Sequence, residues 1–438
     1  MKNQVNYKIL LRSLKHKNYR LFFGGQIISL TGSWMQQVAL SWLVYRITGS
    51  AFILGLVGFS SQIPILILSP IAGVLIDRMN KHRIIIATQI LLMLQAFLLT
   101  FLIFSNVVEV WHIILLNIFS GVINAFDLPA RQSFIVEIVE KREDLGNAIA
   151  LNSSIFNSAR LAGPSIAGIL ISAAGEGICF LINALSFVAV ITALLVMKIK
   201  PHHTETKHSD MLQGFKEGIK YTFGFIPIRT ILLLIALISI VGMPYTILMP
   251  VFAKEILHGG PHTLGFLLGA IGIGALCGAF YLASRNSVLG LGKIIAIAAS
   301  SFGLGLILFS LSRNFVLSMA MLVITGMSMM VQMSSSNTIL QTIVEDKMRG
   351  RVMSFYTTAF TGMAPFGSLM AGFLASKIGA TNTLIIGGLC CLTGAALFAK
   401  QLPLLKGLVR PIYVKMGIIP EVAEGLQRAS NLRVPPEN

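Results

Sequence analysis

Charged residues are scarce in this chain, and their scarcity excludes most classes of water-soluble protein. Of 438 residues, 55% are hydrophobic and only 12% are Asp, Glu, Lys or Arg. Soluble domains carry about 25% charged residues. Apolar runs of about 20 residues, enough to cross a bilayer as a helix, follow one another along the sequence. Because these runs are continuous and do not alternate, they predict transmembrane helices and not a membrane β-barrel.

Acidic residues, cysteines and nucleotide-binding loops are also few or missing. The 34 Lys and Arg outnumber the 17 Asp and Glu, but they lie at the ends of apolar runs and in short loops, so we expect no nucleic-acid partner. The four cysteines all lie inside apolar runs without metal-ligand spacing, and we predict neither a metal site nor a cofactor. The sequence contains no Gly-x4-Gly-Lys-Ser/Thr loop, which excludes ATP hydrolysis by that motif.

Twelve apolar windows divide into two groups of six. The first group is 21–44, 52–76, 84–104, 111–126, 148–172 and 178–196, and the second is 231–252, 264–282, 294–309, 316–333, 352–375 and 383–399. We therefore predict an all-α, polytopic membrane protein made of two six-helix bundles, residues 1–196 and 231–400. A cytoplasmic linker, 197–230, joins the bundles, and a cytoplasmic tail, 401–438, follows them.

The distribution of positive charge predicts the orientation. With the N-terminus inside, only Arg46, Lys254, Arg313 and Lys377 fall outside the cell, Arg160 lies within a helix, and every other Lys and Arg faces the cytoplasm. By the positive-inside rule, both termini are cytoplasmic. The linker contains His202, His203 and His208, for which a solvated segment is favoured over a metal site.

The two groups of helices resemble each other in sequence. Leu54-Gly55 matches Leu264-Gly265, Ile138-Val-Glu matches Ile343-Val-Glu, and Ala167-Gly168 matches Ala371-Gly372, all at nearly the same separation. Three matches in order indicate a duplicated six-helix unit. Parallel repeats of this kind are typical of one transporter architecture.

The loop after the second window resembles a signature of the major facilitator superfamily. It reads Gly73-Val-Leu-Ile-Asp77-Arg78-Met-Asn-Lys81-His-Arg83, against Gly-x-Leu-x-Asp-Arg-x-Gly-Arg-Lys or Arg. A glycine allows close helix approach, an acid can face a helix N-terminus, and basic residues bind anionic lipid or carboxylates. We predict a gating group on the cytoplasmic face, in which Asp127 pairs with Arg78 or Arg83. Its members are Gly73, Asp77, Arg78, Lys81, Arg83, Asp127, Arg349 and Arg351. The alternative is a charged turn without a further role.

Two further resemblances favour export. Arg160-Leu-Ala-Gly163-Pro164-Ser-Ile-Ala-Gly168 is similar to the antiporter motif of that superfamily, in which Gly and Pro permit close packing and a kink. Blocks such as Asn18-Tyr-Arg-Leu-Phe-Phe, Gly32-Ser-Trp-Met-Gln-Gln and Asp127-Leu-Pro-Ala-Arg131-Gln resemble the bacterial enterobactin-exporter branch. That resemblance implies efflux of siderophores, macrolides or similar amphipathic compounds.

Polar side chains within the windows form stripes at helical spacing. Gln26, Ser29, Ser33 and Gln36 share one arc of the first window. In the fold that the chain resembles, four such helices line a central cavity. The predicted cavity residues are Gln26, Ser29, Ser33, Gln36, Asn117, Asn124, Arg160, Met243, Tyr245, Thr246, Met329, Gln332 and Ser336. The alternative is hydrogen bonding between helices. Many superfamily members have an arginine at the position of Asn117. The resemblance therefore does not imply that this position takes part in proton coupling.

The resemblance implies secondary active efflux of small amphipathic molecules by alternating access, driven by protons. A lipid or lysolipid flippase on the same fold is the alternative, and no clustered site of the kind an enzyme needs is visible in the sequence. We expect a monomer in the bacterial inner membrane, in contact with lipid.

Overall fold

The computed structural model describes residues 11–139, 141–197, 211–285 and 287–418, without the side chains of Val74, Asp77, Arg142 and residues 211–216. A 3-10 turn, Arg12–Lys15, precedes a series of helices. These are α1 Lys17–Thr48, α2 Ala51–Arg78, α3 Lys81–Phe104, α4 Val110–Ile138, α5 Arg142–Ala174, α6 Glu176–Val196, α7 Met211–Gly224, α8 Ile226–Ile256, α9 Pro261–Ala283, α10 Leu291–Leu311, α11 Phe315–Ile343, α12 Asp346–Ile378 and α13 Ala380–Lys415. Short π-helical and 3-10 stretches interrupt α8, and a π-helical stretch interrupts α12.

Within the described ranges, 10 helices are long and apolar enough to cross a membrane. The long helices α1 and α5 are not among these 10, and α7 is a short amphipathic helix. Both α1 and α5 carry many Ser, Asn and Gln side chains, which lower their hydropathy. The all-helical, multi-pass architecture that the sequence predicts is thus present.

Several helices extend beyond the predicted windows. The windows ended at 126 and 333, whereas α4 continues to Ile138 and α11 to Ile343. Polar residues, starting with Asp127 in α4, interrupt the apolar pattern but not the helix. Asp127, Ser335 and Ser336 are buried against neighbouring helices, whereas Gln132 and Thr338 are exposed. Likewise, α8 starts inside the predicted linker and α13 runs through Pro403 into the predicted tail. The histidines of the linker lie outside the described residues.

The helices form two bundles that meet along two crossings. In the first bundle α1 packs on α5 and α6, α2 on α4, and α3 on α4 and α6. In the second, α11 packs on α9 and α10, and α10 on α13. Between the bundles, α2 crosses α12 and α5 crosses α9. We call the end of the molecule where α1 stops the Thr48 end, and the opposite end the Lys17 end.

Glycines permit close contact at both crossings. A Cβ atom on Gly55 of α2 would lie 2.9 Å from the Cα of Gly372 of α12. A Cβ atom on Gly265 of α9 would lie 2.8 Å from the Cα of Gly168 of α5. Gly55 matches Gly265 and Gly372 matches Gly168 in the internal repeat. The two crossings are therefore equivalent contacts of a duplicated unit, close to the Thr48 end.

The duplication also extends to the turns that follow α5 and α12. Gly175 has φ 79° and ψ 172°, and Gly379 has φ 85° and ψ 156°. This region of backbone conformation is accessible almost only to glycine. Each glycine ends one helix and starts the next without an intervening loop.

The outer surface of the bundles is apolar. Phe280, Val316, Leu195 and Ile297 are among its most exposed side chains. In water a continuous surface of this kind would drive association, whereas in a bilayer it meets hydrocarbon.

Candidate functional site

A cavity of about 320 Å³ lies between the two bundles. Cavities of this size hold small molecules. Both bundles contribute to its wall, which includes Trp34, Gln37, Ser41, Gly58, Gln62, Asn117, Arg160, Met243, Thr246, Leu268, Ile271 and Ser368. The wall thus combines neutral polar groups with aliphatic ones, and Arg160 is the one ionisable residue among the described side chains that line it.

Arg160 lies about midway along α5, about 27 Å from its first residue and about 21 Å from its last. Its guanidinium carbon is 6.0 Å from the centre of the Trp34 ring, which is cation–π distance. Among the described side chains, no acid forms an ion pair with Arg160. The cavity wall therefore carries one positive charge that no described acid neutralises by a direct contact.

The structure brings four of the predicted cavity residues to the wall, namely Asn117, Arg160, Met243 and Thr246. Asn117 donates its Nδ2 hydrogen to the Ile113 carbonyl oxygen at 2.9 Å. Tyr245 lies behind the wall, fully buried, with its ring edge-on to Phe302. No hydrogen-bond partner is present for its hydroxyl within the described structure.

The polar stripe of α1 faces the interior of the first bundle instead of the cavity. Asn183 of α6 donates to Gln36 Oε1 at 2.6 Å, and Gln36 donates to Gln95 of α3 at 3.3 Å. Gln26 and Ser29 are buried on the same stripe, and Ser33 is half-buried there and does not line the cavity. The predicted cavity assignment of these four residues is corrected: the stripe joins helices of one bundle.

The cavity instead meets the next arc of α1, which carries Trp34, Gln37 and Ser41. Their spacing is equally helical, and this signal was available in the sequence. It was missed because a stripe of uniformly polar residues is more conspicuous than one that includes a tryptophan.

The remaining predicted cavity residues also form contacts within their own bundles. Gln332 donates to Ser336 at 3.4 Å, and both residues are buried inside the second bundle together with Met329. Asn124 donates to the Ser120 carbonyl oxygen at 2.9 Å. None of these four predicted residues, Asn124, Met329, Gln332 and Ser336, lines the cavity.

Asp127 lies inside the first bundle rather than at a helix end. It is fully buried and accepts hydrogen bonds from Thr88 at 2.7 Å and Gln89 at 2.9 Å, both on α3. Its ion pair is with Arg131, one turn along α4, at 2.6 Å. The predicted pairing of Asp127 with Arg78 or Arg83 is therefore wrong, because the extension of α4 places the acid about 16 Å from the end of the helix.

Arg131 connects this acid to a third helix. It donates to Gln26 Oε1 on α1 at 2.9 Å. A carboxylate, a guanidinium and three neutral side chains thus form a buried polar network within one bundle, which we call the Asp127 network. It consists of Gln26, Thr88, Gln89, Asp127 and Arg131.

The rest of the predicted gating group lies at the Lys17 end. Lys81 pairs with Glu137 at 2.6 Å, and Arg349 pairs with Asp346 at 2.6 Å. The side chains of Arg78 and Arg83 are exposed, and that of Asp77 is outside the described part. A Cβ atom on Gly73 would meet no atom within 4 Å, so this glycine does not mediate close helix packing.

Arg351, the last member of the predicted group, binds the amphipathic helix α7. Its Nη1 lies 2.8 Å from Glu217 Oε2, and the rings of Phe223 and Phe355 meet edge-on beside this pair. The linker therefore docks on α12 of the second bundle.

The antiporter-like motif contributes close contacts. A Cβ atom on Gly163 would lie 2.6 Å from the Cβ of Trp34, so this glycine lets α5 approach α1 beside the cavity. Gly168 meets α9 at one of the two crossings, and the carbonyl oxygen of Pro164 contacts Gly265 there.

The contacts between the bundles are concentrated towards the Thr48 end, and the described surfaces that face each other become exposed towards the Lys17 end. At the Thr48 end the Tyr45 hydroxyl donates to Glu255 of the other bundle, and Lys254 lies over the Tyr45 ring at 5.6 Å. On α5, Leu161, Ser165 and Gly168 form the face that meets α9. Ser154 and Ser158 continue this face towards the Lys17 end, but both are exposed.

The same pattern holds on α12, the counterpart of α5. Ser368 and Gly372 meet α2, and Gly362 still approaches Leu66 of α2, whereas the side chains of Thr358 and Thr361, further along the same face, are exposed. The cavity therefore lies next to the Thr48 end, where the bundles touch. Polar surfaces of both bundles extend from the cavity towards the Lys17 end.

Comparison with known proteins assigns this architecture to a family. The family model for the transmembrane secretion effectors of the major facilitator superfamily matches residues 10–409. The chain belongs to this family. The superfamily predicted from the loop signature is thereby confirmed, and the chain is a multi-pass transporter of the bacterial inner membrane.

Relatives with curated descriptions match this transporter over most of their length. It is 26% identical to the staphyloferrin A transporter of Staphylococcus aureus, over 87% of this chain and 96% of that protein. It is 22% identical to macrolide efflux protein A of Streptococcus pyogenes, over 85% and 94%. Its fold matches the crystal structure of a bacterial homologue of the human lysosomal transporter Spinster, with TM-score 0.67, 13% identity and coverage of 91% and 98%.

Proposed function

We propose that this transporter exports small amphipathic molecules of the siderophore or drug type by alternating access. The observation that carries the proposal is the cavity between two bundles that touch at the Thr48 end and diverge at the Lys17 end. With the predicted orientation, the Lys17 end faces the cytoplasm, so a substrate enters the cavity from inside the cell. Rocking of the bundles about the two glycine crossings would then open the Thr48 end to the outside.

Twelve membrane spans and cytoplasmic termini follow from the same proposal. The helices α1 and α5 are the two long helices that fall outside the 10 apolar candidates, and both contribute polar residues to the cavity or to the diverging surfaces. A helix that faces water along part of its length can cross a bilayer with a lower hydropathy than one surrounded by lipid. We expect the transporter to act as a monomer, because both bundles that form the cavity belong to one chain.

Proton coupling is proposed through the Asp127 network. Asp127 is a buried carboxylate whose charge is compensated by Arg131, and buried ionisable groups of this kind are typical of proton relays. Protonation of Asp127 would release Arg131 and change the contacts between α1, α3 and α4. Many superfamily members have an arginine at the position of Asn117. Proton coupling through Asp127 does not require an arginine there.

The curated relatives support efflux. Their descriptions name a siderophore transporter and a macrolide efflux protein. These descriptions give no support to a lipid or lysolipid flippase. The matching family and the curated relatives are transporters and not enzymes.

Transport into inverted membrane vesicles tests the proposal. We expect accumulation of at least one compound from a panel of siderophores and macrolides when the vesicle interior is acidic, and its loss when the pH gradient is dissipated. Vesicles without the protein serve as the control. If no compound of the panel accumulates while a fluorescent lysolipid is translocated, the efflux proposal fails.

Coupling is tested separately with Asp127→Asn. We expect this variant to lose accumulation driven by the pH gradient but to retain exchange of labelled for unlabelled compound at equal pH. Glu137→Gln, on the same helix and paired with Lys81, is the matched control and should retain both activities. Gradient-driven accumulation by Asp127→Asn at the rate of the unsubstituted protein would exclude this residue from coupling.

A further inference from the structure

The charge of Arg160 distinguishes the cavity from an ordinary apolar pocket. Charged side chains within a membrane protein are normally paired with an opposite charge, because an isolated charge away from water is costly. Arg160 faces the cavity without such a partner among the described residues, and its guanidinium contacts the Trp34 ring. The counter-charge is therefore expected to come from whatever occupies the cavity.

The geometry leaves the guanidinium available to a ligand. Contact with an aromatic ring uses the flat face of the guanidinium, whereas its N–H donors lie in the plane and bind carboxylates in pairs. A Cβ atom on Gly163 would be 2.6 Å from the Trp34 Cβ. The absence of a side chain at Gly163 therefore allows Trp34 to approach α5 next to Arg160. Trp34 thus acts as a positioning residue for Arg160.

The remainder of the wall fits the rest of an amphipathic acid. Gln37, Gln62 and Asn117 supply neutral hydrogen-bonding groups, and Leu54, Val57 and Ile247 supply apolar surface. No Asp or Glu is among the residues that line the cavity in the described structure. The wall therefore has nothing to compensate a cationic compound, and the charge of Arg160 repels one.

We propose that the cavity binds amphipathic carboxylates, with Arg160 as the residue that recognises the acid group. This inference rests on the proposed export function and narrows its substrate class to anionic compounds. A bidentate contact with a carboxylate would favour an acid over its neutral amide by about tenfold or more.

Two fluorescent ligands that differ only in charge test the inference. N-dansyl-leucine carries a carboxylate, and N-dansyl-leucinamide has the same body without the charge. Saturable energy transfer from tryptophan to the dansyl group of each ligand gives its Kd with the purified full-length protein. We expect the acid to bind at least about tenfold more tightly than the amide.

Substitutions then assign the preference to one residue. Arg160→Gln should bind the two ligands equally, and Arg160→Lys should keep part of the preference, because a lysine retains the charge but not the paired donors. Arg20→Gln, an exposed position on α1 outside the cavity, changes the net charge equally and should leave the preference unchanged.

Equal affinity of the unsubstituted protein for the acid and the amide, or no saturable transfer with either, overturns the inference. A preference for the acid that persists in Arg160→Gln overturns the role of this residue. These outcomes can be distinguished from failure of the export proposal. If vesicles accumulate neutral or cationic compounds in a pH-dependent way, export is supported but the anionic substrate class is contradicted.

Discussion

Gly55 of α2 and Gly372 of α12 are in backbone contact, since a Cβ atom on Gly372 would lie 2.8 Å from the Cα of Gly55. The repeat reproduces this contact between Gly265 of α9 and Gly168 of α5. Contacts that admit no side chain are sensitive to a single added methyl group. The two crossings therefore control how closely the bundles approach at the Thr48 end.

Gly55→Ala should separate the bundles at that end, because the new methyl group would lie 2.6 Å from the Ser368 carbonyl oxygen. The measurement is labelling of a cysteine at Gln62, in a background without native cysteines, by an impermeant maleimide added outside cells. We expect faster labelling in Gly55→Ala. Gly24→Ala is the control, because a Cβ atom there meets nothing within 4 Å. Equal labelling rates in the two variants would contradict this role of the crossing.

A disulfide between the bundles should stop transport reversibly. A Cβ atom on Gly58 lies 3.4 Å from the Cβ of Ser368, close to the separation in disulfides. In a background without native cysteines, we expect oxidised Gly58→Cys/Ser368→Cys to lose vesicle transport and to regain it after reduction. Each single substitution controls for the loss of the native side chain. Full transport by the oxidised double variant would argue against alternating access.

Breaking the ion pair of the Asp127 network should destabilise the first bundle. Asp127→Asn leaves Arg131 without its counter-charge, and removal of one partner of a buried pair costs about 3 kcal/mol of unfolding free energy. Glu137→Gln breaks the pair with Lys81, in which the acid is 20% exposed whereas Asp127 is fully buried, and it should cost less unfolding free energy. Denaturant unfolding in detergent measures both. The prediction fails if the two variants are equally stable.

Low pH should release the N-terminal turn from α5. A hydrogen bond with His16, and then the positive charge of Arg12, hold the pKa of Asp144 below its ordinary value of 3.8. Because the pKa is lowered in the folded state, ionised Asp144 stabilises the docked turn at pH values above 3.8. This stabilisation is lost as the pH falls through the pKa of the folded state. A spin label at Leu11 should therefore become mobile below pH 3.8.

The same label tests the cause of that release. In Asp144→Asn the label should already be mobile at neutral pH. A label that stays immobile in this variant would show that hydrogen bonds without the Asp144 carboxylate hold the turn, namely those that the Ser13 N–H donates to Asn147 Oδ1 and the Ser13 hydroxyl donates to the Asp144 carbonyl oxygen.

The sequence predicted the helical, multi-pass fold well, because hydropathy is a local pattern. The internal repeat aligned Gly55 with Gly265 and Gly168 with Gly372, and these glycines meet at the two crossings. It failed at Asp127, where an acid ended the apolar window but not the helix. Whether such a residue lies at a membrane surface or inside a bundle depends on side chains of other helices, here Thr88 and Gln89.

The cavity was predicted only in part for a related reason. Helical spacing shows that residues share a face, but it does not show what that face meets. The stripe with Gln36 meets α3 and α6, whereas the adjacent arc with Trp34 meets the cavity. Arg160 was predicted from its charge alone, since a buried arginine in a span needs a polar environment wherever the helix is placed.

The closed Thr48 end has a consequence for inhibition. With the predicted orientation, a compound that approaches from outside the cell meets packed glycines and the Tyr45–Glu255 contact before it can reach Arg160. A blocker of this resting state must first enter the cytoplasm, whereas an antibody against the extracellular surface could act only by holding the bundles together. Compounds that cross membranes poorly would thus be weak competitors, however well they fit the cavity.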